Sequence, residues 1–135
     1  MKNVKYLRCV ACGRTQTARP DATLCECGGV LDVVYDYDYI RGKTSPEEIS
    51  RSGDRSMWRY RAFLPVEEDT PAPPLRVGWS PLYEEPRLAA ELGLARVWVK
   101  DDGQNPTASL KDRASAMAVA KALEAGYGKI ACSST

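Results

Sequence analysis

One lysine and four clustered cysteines are the residues of this chain whose types and spacing could do chemistry. Lys111 ends the segment Asn105-Pro106-Thr107-Ala108-Ser109-Leu110-Lys111 and opens an alanine-rich run. An Asn-Pro turn therefore delivers it to a helix N-terminus, where the macrodipole is positive. A cation there is electrostatically misplaced for a structural role, and a neutral lysine amine is the form that makes an imine with a carbonyl. Asp112 and Arg113 leave the local charge balanced, and an ordinary solvated lysine is the alternative on physical grounds alone. Cys9-x-x-Cys12-Gly and Cys25-x-Cys27-Gly form two thiol-bearing turns, with a glycine after each pair that tolerates positive φ. Four thiolates on two such turns can close a tetrahedral structural zinc site. The second pair is Cys-x-Cys where a zinc ribbon usually repeats Cys-x-x-Cys, so a metal-free knuckle and an oxidised pair stay open as alternatives. The fifth cysteine, Cys132, reads as a small buried hydrophobe.

The chain contains no histidine, which removes a Ser/His/Asp triad, a Cys/His dyad and any His-ligated metal from within it. Its formal net charge of +1 gives no electrostatic footprint for nucleic acid. No apolar run approaches the ~20 residues of a membrane span. The opening MKNVKYLRC lacks the apolar centre of a signal peptide, so the expected compartment is the cytoplasm. A reducing cytosol disfavours disulfides, which turns the cysteine cluster towards metal.

These groups must be positioned by three stretches. Residues 1–36 are expected to form a Cys-rich, zinc-ribbon-like β element, with strands near 4–6 and 30–35. Residues 37–76 read as a linker region with short helices. Ser45-Pro46-Glu47-Glu48 is a helix start, 57–64 is a short helix, and 67–76, with Pro71, Pro73 and Pro74, runs extended over the surface. Tyr35, Tyr37 and Tyr39 alternate with acids and are expected on one strand face. Residues 77–135 read as the beginning of an α/β domain. They hold a short helix over 86–93 closed by Gly93, a strand over 96–100, a polar loop, a helix over 111–125 and a strand over 129–132. In the long helix Ala114, Met117, Ala118, Lys121 and Ala122 share the predicted face, and Ser109 or Thr107 caps it. Strand, loop, helix, strand predicts parallel pairing. The sequence stops just after the last of these strands, which reads as an incomplete domain.

The lysine segment extended to Asp112-Arg113 resembles the N-P-T-G-S-F-K-D-R signature of threonine synthases and their fold-type II pyridoxal-phosphate (PLP) relatives. Two further segments resemble the same family in the same order: Gly78-Trp79-Ser80-Pro81-Leu82 upstream, and Ser133-Ser134-Thr135 downstream. The Cys-rich start resembles threonine synthases that bear a zinc-ribbon-like N-terminal element. Ala108, Leu110 and Ser80 depart from the commonest family residues and leave every reactive group in place.

The resemblance implies a tryptophan-synthase-β-like α/β fold and a PLP cofactor held by Lys111, which is also the catalytic residue. It implies a substrate carboxylate held at Ser133, Ser134 and Thr135, and structural zinc at Cys9, Cys12, Cys25 and Cys27. The implied reaction, in threonine biosynthesis, is that of a carbon–oxygen lyase turning O-phosphohomoserine and water into threonine and phosphate. The partners it implies are a small-molecule amino-acid substrate and, at full length, a second copy in a homodimer. The family's glycine-rich phosphate cradle and the partner of the pyridine nitrogen are absent from this sequence, so the segment alone is expected to be inactive. Two alternatives remain: a sister fold-type II enzyme (a dehydratase, or a cysteate or cysteine synthase), and a zinc-ribbon binding module. The near-neutral charge argues against a module that binds nucleic acid.

Overall fold

The protein is described by a computed structural model covering residues 1–132. Its first strand, β1 (Val4–Cys9), buries Val4, Leu7 and Cys9 and leaves Lys5, Tyr6 and Arg8 exposed. β2 (Thr15–Gln16) and β3 (Leu31–Tyr35) flank it in a three-stranded antiparallel sheet of order β2-β1-β3. A register shift between Val4 and Tyr6 marks an irregularity in the β1–β3 ladder. The expected β element at the start of the chain is thus present, with the cysteines on the turns that join its strands.

The alternating tyrosines do not continue a strand. β3 ends at Tyr35, and α1 (Tyr37–Arg41) follows at once. Asp36 decides the change: its carboxylate accepts from the Tyr39 backbone N–H at 3.0 Å, a helix N-cap that competes with extension of the ladder. Asp38 in the first turn and Arg41 in the last complement the helix ends. α2 (Pro46–Arg51) starts as its sequence predicts, with the Ser45 hydroxyl accepting from the Glu48 N–H at 3.2 Å.

A 3-10 helix, Met57–Phe63, is capped by Ser56, whose Oγ accepts from the Trp58 N–H at 3.2 Å. Its Met57 and Trp58, together with Val66 and Val77, pack against Ala116 and Ala120 of α4 (Asp112–Glu124) to form the main apolar core. Between Val66 and Val77 the proline-bearing stretch is largely exposed, apart from a buried Thr70.

α4 is present where the sequence predicts it, but of the predicted face only Met117 packs against the apolar core. Ala116 and Ala120 are buried, whereas Ala114 and Ala118 are exposed. Alanines occur all round this helix, so side-chain pattern alone selects no unique face. Packing against Trp58 and Val66 makes the choice.

β4 (Leu82–Glu84) and β5 (Trp98–Lys100) pair antiparallel, with Tyr83 opposite Val99. α3 (Pro86–Leu92) joins them and ends at Gly93 in the left-handed conformation. Every residue of β4 and β5 is exposed. The chain is therefore mixed α and β, but the predicted parallel pairing is not found among the described residues. Residues 129–132 form no strand there. Among the described residues β5 pairs with β4 alone, and its other edge carries no strand.

The N-terminal sheet is fastened to the rest through polar contacts. The Asn3 amide donates to the carbonyls of Ala62 and Leu64 at 3.1 and 2.6 Å. The Met1 ammonium pairs with Glu67. Glu124 of α4 accepts from the Glu67 N–H at 2.7 Å and from the Thr70 hydroxyl, and pairs with Lys121. Burial alone would push the Glu124 carboxyl up, but these donors outweigh it and hold it below its ordinary value. No helix among the described residues is long and apolar enough to cross a membrane.

Candidate functional site

The loop between β5 and α4 carries Lys111, and a set of short polar contacts fixes its path. Asp101 donates its N–H to the Pro81 carbonyl at 2.9 Å, continuing the β4–β5 pairing by one step. Asn105 is buried; its Oδ1 accepts from the Gly78 N–H at 3.0 Å, and its Nδ2 donates to the Asp102 carbonyl at 2.9 Å. Ser80 donates its hydroxyl to Asp102 Oδ1 at 2.7 Å, and Lys100 donates to the Ser80 carbonyl at 2.5 Å. The segments 78–82 and 100–113, separate in sequence, thus form one unit.

Arg113, on the first turn of α4, closes this unit. Its two terminal nitrogens donate to Asp102 Oδ1 and Oδ2 at 2.8 and 2.5 Å. The fork of a guanidinium matches a carboxylate in this bidentate form. The Arg113 hydrogen bonds, joined by that of Ser80, hold the Asp102 carboxyl well below the usual carboxylate range. In the sequence Asp102 is one residue of a polar loop and Arg113 only a charge beside Lys111. No spacing rule joins an acid before a turn to an arginine after it, so the pair became visible only with the fold.

Lys111 stands at the N-cap of α4 with φ −67° and ψ −16°. Its backbone N–H donates to Ser109 Oγ at 3.2 Å, and its carbonyl accepts from the Ser115 N–H at 3.0 Å. Asp112 is buried and accepts from the Thr107 N–H and hydroxyl at 2.8 and 2.5 Å. The loop is therefore tied back onto the helix on both sides of the lysine. Both predicted cap residues, Ser109 and Thr107, are engaged, though through Lys111 and Asp112 rather than as the N-cap itself.

Lys111 lines a cleft of about 620 Å³ with Thr107, Ser109, Asp112, Val77 and Val119 among the other walls. This arrangement fits PLP. A primary amine sits beside an open volume larger than a pyridine ring with one phosphate, an apolar wall can face the ring, and hydroxyls stand beside it. Cys132, exposed rather than the buried hydrophobe its sequence suggests, also lines this cleft, immediately before Ser133. Ser133, Ser134 and Thr135 lie outside the described residues. Asp101 holds the Gly103 N–H at 3.1 Å and the Gln104 amide at 3.1 Å, a turn-forming role. Trp58 and Arg59 serve structure: Trp58 is in the core and Arg59 stacks over Trp79 at 4.0 Å.

A second cluster lies at the other end of the chain. Gly13 and Gly28 have φ of +74° and +81°, as the turns after the cysteine pairs require. They bring the sulfurs of Cys9, Cys12, Cys25 and Cys27 within 4.8 Å of one another. Cys9 and Cys25 are buried, and Cys12 and Cys27 are exposed. The Cys12 and Ala11 backbone N–H groups lower the Cys9 thiol to about 6, with help from the neighbouring thiols. The Gly29 N–H favours ionisation of Cys27, but the thiols of Cys12, Cys9 and Cys25 together outweigh it and push Cys27 up to about 12. Four thiols this close cannot all ionise without a cation among them.

A lysine at a helix N-terminus, on a strand–loop–helix unit and lining a cleft, is compatible with imine chemistry on a carbonyl cofactor. The family model described as pyridoxal-phosphate dependent enzyme matches residues 74–135, and PLP is the cofactor that this match supports. The chain is similar to threonine synthases. It is 40% identical over 128 residues to that of Methanocaldococcus jannaschii and 39% identical over 132 residues to that of Methanosarcina acetivorans. Those alignments cover 95% and 96% of this chain, and 31% of each relative. The threonine synthase of a Synechocystis species is 48% identical over 77 residues, which is 56% of this chain and 20% of that protein. The chain thus spans about a third of the length of the two archaeal relatives. No solved structure matches it significantly.

Proposed function

We propose that this chain carries the lysine segment of a threonine synthase. The reaction is conversion of O-phosphohomoserine and water to threonine and phosphate, carried out in the cytoplasm by a homodimer of the whole protein. The observation that carries the reading is the placement of Lys111 at the α4 N-cap, lining the cleft, in a chain 40% identical to a threonine synthase over 95% of its length.

Bound in this cleft, PLP supplies an electron sink for the carbon chemistry. Lys111 is the residue that holds it and then moves protons at the substrate carbons, through its Nζ. Thr107 and Ser109 offer hydroxyls beside it, and Val77 and Val119 keep that wall apolar and exclude water. The Asp102–Arg113 pair and the Asn105–Gly78 bond orient the loop and stay out of the reaction. Ser133, Ser134 and Thr135 are assigned to the substrate carboxylate. Cys132 supports this, because it brings the chain to the cleft immediately before them.

The chain alone is expected to release no phosphate from O-phosphohomoserine. Exchanging it for the corresponding segment of the Methanocaldococcus jannaschii enzyme tests the reading. An active chimera, silenced by Lys111→Ala while its fold is retained, is the expected result. A chimera that folds and binds PLP but leaves O-phosphohomoserine untouched would assign the segment to a sister reaction. A folded chimera in which Lys111→Ala keeps full activity would overturn the role of Lys111.

A further inference from the structure

A smaller cavity lies where the start of the chain meets α1 and the 3-10 helix. It shares no lining residue with the lysine cleft and measures about 220 Å³. Asn3, which is buried, fixes one side of it through its two bonds to the Ala62 and Leu64 carbonyls. The Met1 ammonium pairs with Glu67, which keeps Lys2 beside the cavity.

Three kinds of group meet there. Ala62, the buried Val66 and the Tyr39 ring supply an apolar wall. Glu68 supplies a carboxylate. The Tyr39 hydroxyl donates to its Oε1 at 2.8 Å, and Lys43 Nζ pairs with the same oxygen at 3.4 Å. These contacts, with the charge of Lys2 added, hold the Glu68 carboxyl below its ordinary value, so it is ionised at neutral pH. Both contacts use Oε1, which leaves the lone pairs of Oε2 for a further donor. Lys2, Lys43 and Arg61 supply three cations. Arg61 is anchored by Nη1, which donates to the Glu67 and Thr70 carbonyls at 3.2 and 2.9 Å, so its charge is fixed beside the cavity.

A ligand that satisfies these walls carries a carboxylate for the cations, an ammonium for Glu68 and a short apolar group between them. The volume lies below the ~300 Å³ at which pockets begin to take drug-sized ligands, so the occupant is a small molecule.

We propose that this cavity binds a free α-amino acid with a short aliphatic side chain.

The amino-acid carboxylate lies against Lys2 and Arg61, its ammonium against Glu68, and its side chain against Ala62 and Val66. Glu67, between two of the lining residues, donates its N–H to Glu124 at the end of α4. An occupied cavity therefore steadies the far end of the helix that begins at Lys111.

Titrating the purified protein, free of PLP, with L-valine tests this. L-valine is expected to raise the melting temperature saturably. Isobutyrate, which lacks the ammonium, and isobutylamine, which lacks the carboxylate, are expected to leave it unchanged. Glu68→Gln keeps an acceptor for Tyr39 but removes the charge, and Lys2→Ala removes a cation. Both change exposed positions, and each is expected to weaken binding about tenfold or more. Lys111→Ala is expected to bind L-valine as the parent does. No saturable rise up to the solubility limit of L-valine would overturn the proposal. Equal binding of isobutyrate would overturn it in favour of a plain anion site. Binding that survives Glu68→Gln but is lost in Lys111→Ala would overturn it in favour of the lysine cleft. Loss of phosphate release in the chimera leaves these readouts untouched, so this site and the lysine site stand or fall separately.

Discussion

Arg113 grips Asp102 with both terminal nitrogens, at 2.8 and 2.5 Å, across the loop that delivers Lys111 to its helix. The pair closes a ring of contacts. Asp102 also accepts from Ser80, and Asn105, three residues on, holds the Gly78 N–H. The lysine thus sits on a loop pinned at its entry by Asp102 and Asn105 and at its exit by Asp112. Preorganisation of this kind keeps a reactive side chain aimed at its cleft.

Removing the Asp102 charge should free the loop without removing the lysine. Because the folded carboxyl is held below its unfolded value of about 3.9, its stabilisation is fully present above that value. It is lost as the pH falls through the folded-state value, so the window lies on the acid side of pH 4. Asp102→Asn should lower the melting temperature at pH 7, flatten its fall in acid and speed amide exchange over residues 102–111. Parallel acid limbs in variant and parent would show that the pair contributes nothing.

Ala108 should be improved by glycine. It holds φ of +56°, the left-handed region that penalises a β-carbon, and its N–H still bonds to the Asn105 carbonyl at 2.8 Å. That conformation costs a non-glycine residue about 1–2 kcal/mol, of which the greater freedom of unfolded glycine returns part. Ala108→Gly should therefore stabilise the protein by roughly 0.5–1 kcal/mol, seen as a higher urea midpoint at unchanged slope. A lower midpoint would mean that the loop is not strained there.

Much of this was legible from the sequence wherever local rules decide the outcome. Ser45-Pro46 announced α2, Gly93 closed α3, and the glycines after the cysteine pairs took the positive φ that their turns need. Local rules failed where a distant partner decides. The tyrosine alternation was overruled by the Asp36 cap. Residues 129–132 have the composition of a strand but join no ladder. The buried side of α4 was set by Trp58 and Val66, which a helix full of alanines cannot foretell. The lysine was legible because a helix start and a turn flank it in sequence. The Asp102–Arg113 pair was not, because it exists only once the loop has folded back.

The assignment of the α4 face can be checked by overfilling it. Ala120 is fully buried against the Met57–Trp58 cluster, and Ala118 is exposed on the same helix. Extra methylenes in a packed core cost about 1–3 kcal/mol, whereas surface changes stay within about 0.5 kcal/mol. Ala120→Leu should fall in the first range and Ala118→Leu in the second, measured by denaturant unfolding. The reverse order would put the predicted face, with Ala114 and Ala118, back in the core.

Gly29 offers the sharpest test of how tightly the cysteine turns are built. A β-carbon there would lie 2.6 Å from Cys9 Sγ, 2.9 Å from the Ala11 Cβ and 3.3 Å from Cys27 Sγ. The Cys9 sulfur has little room to retreat, because Cys9 is buried at the end of β1. Gly29→Ala should therefore cost about 1–3 kcal/mol by overpacking and speed the reaction of Cys9 with a thiol reagent. Gly53, whose added β-carbon meets nothing within 4 Å, is the control: Gly53→Ala should leave both quantities unchanged. If Gly29→Ala left the Cys9 thiol as protected as the control does, the turns would be looser than this packing requires.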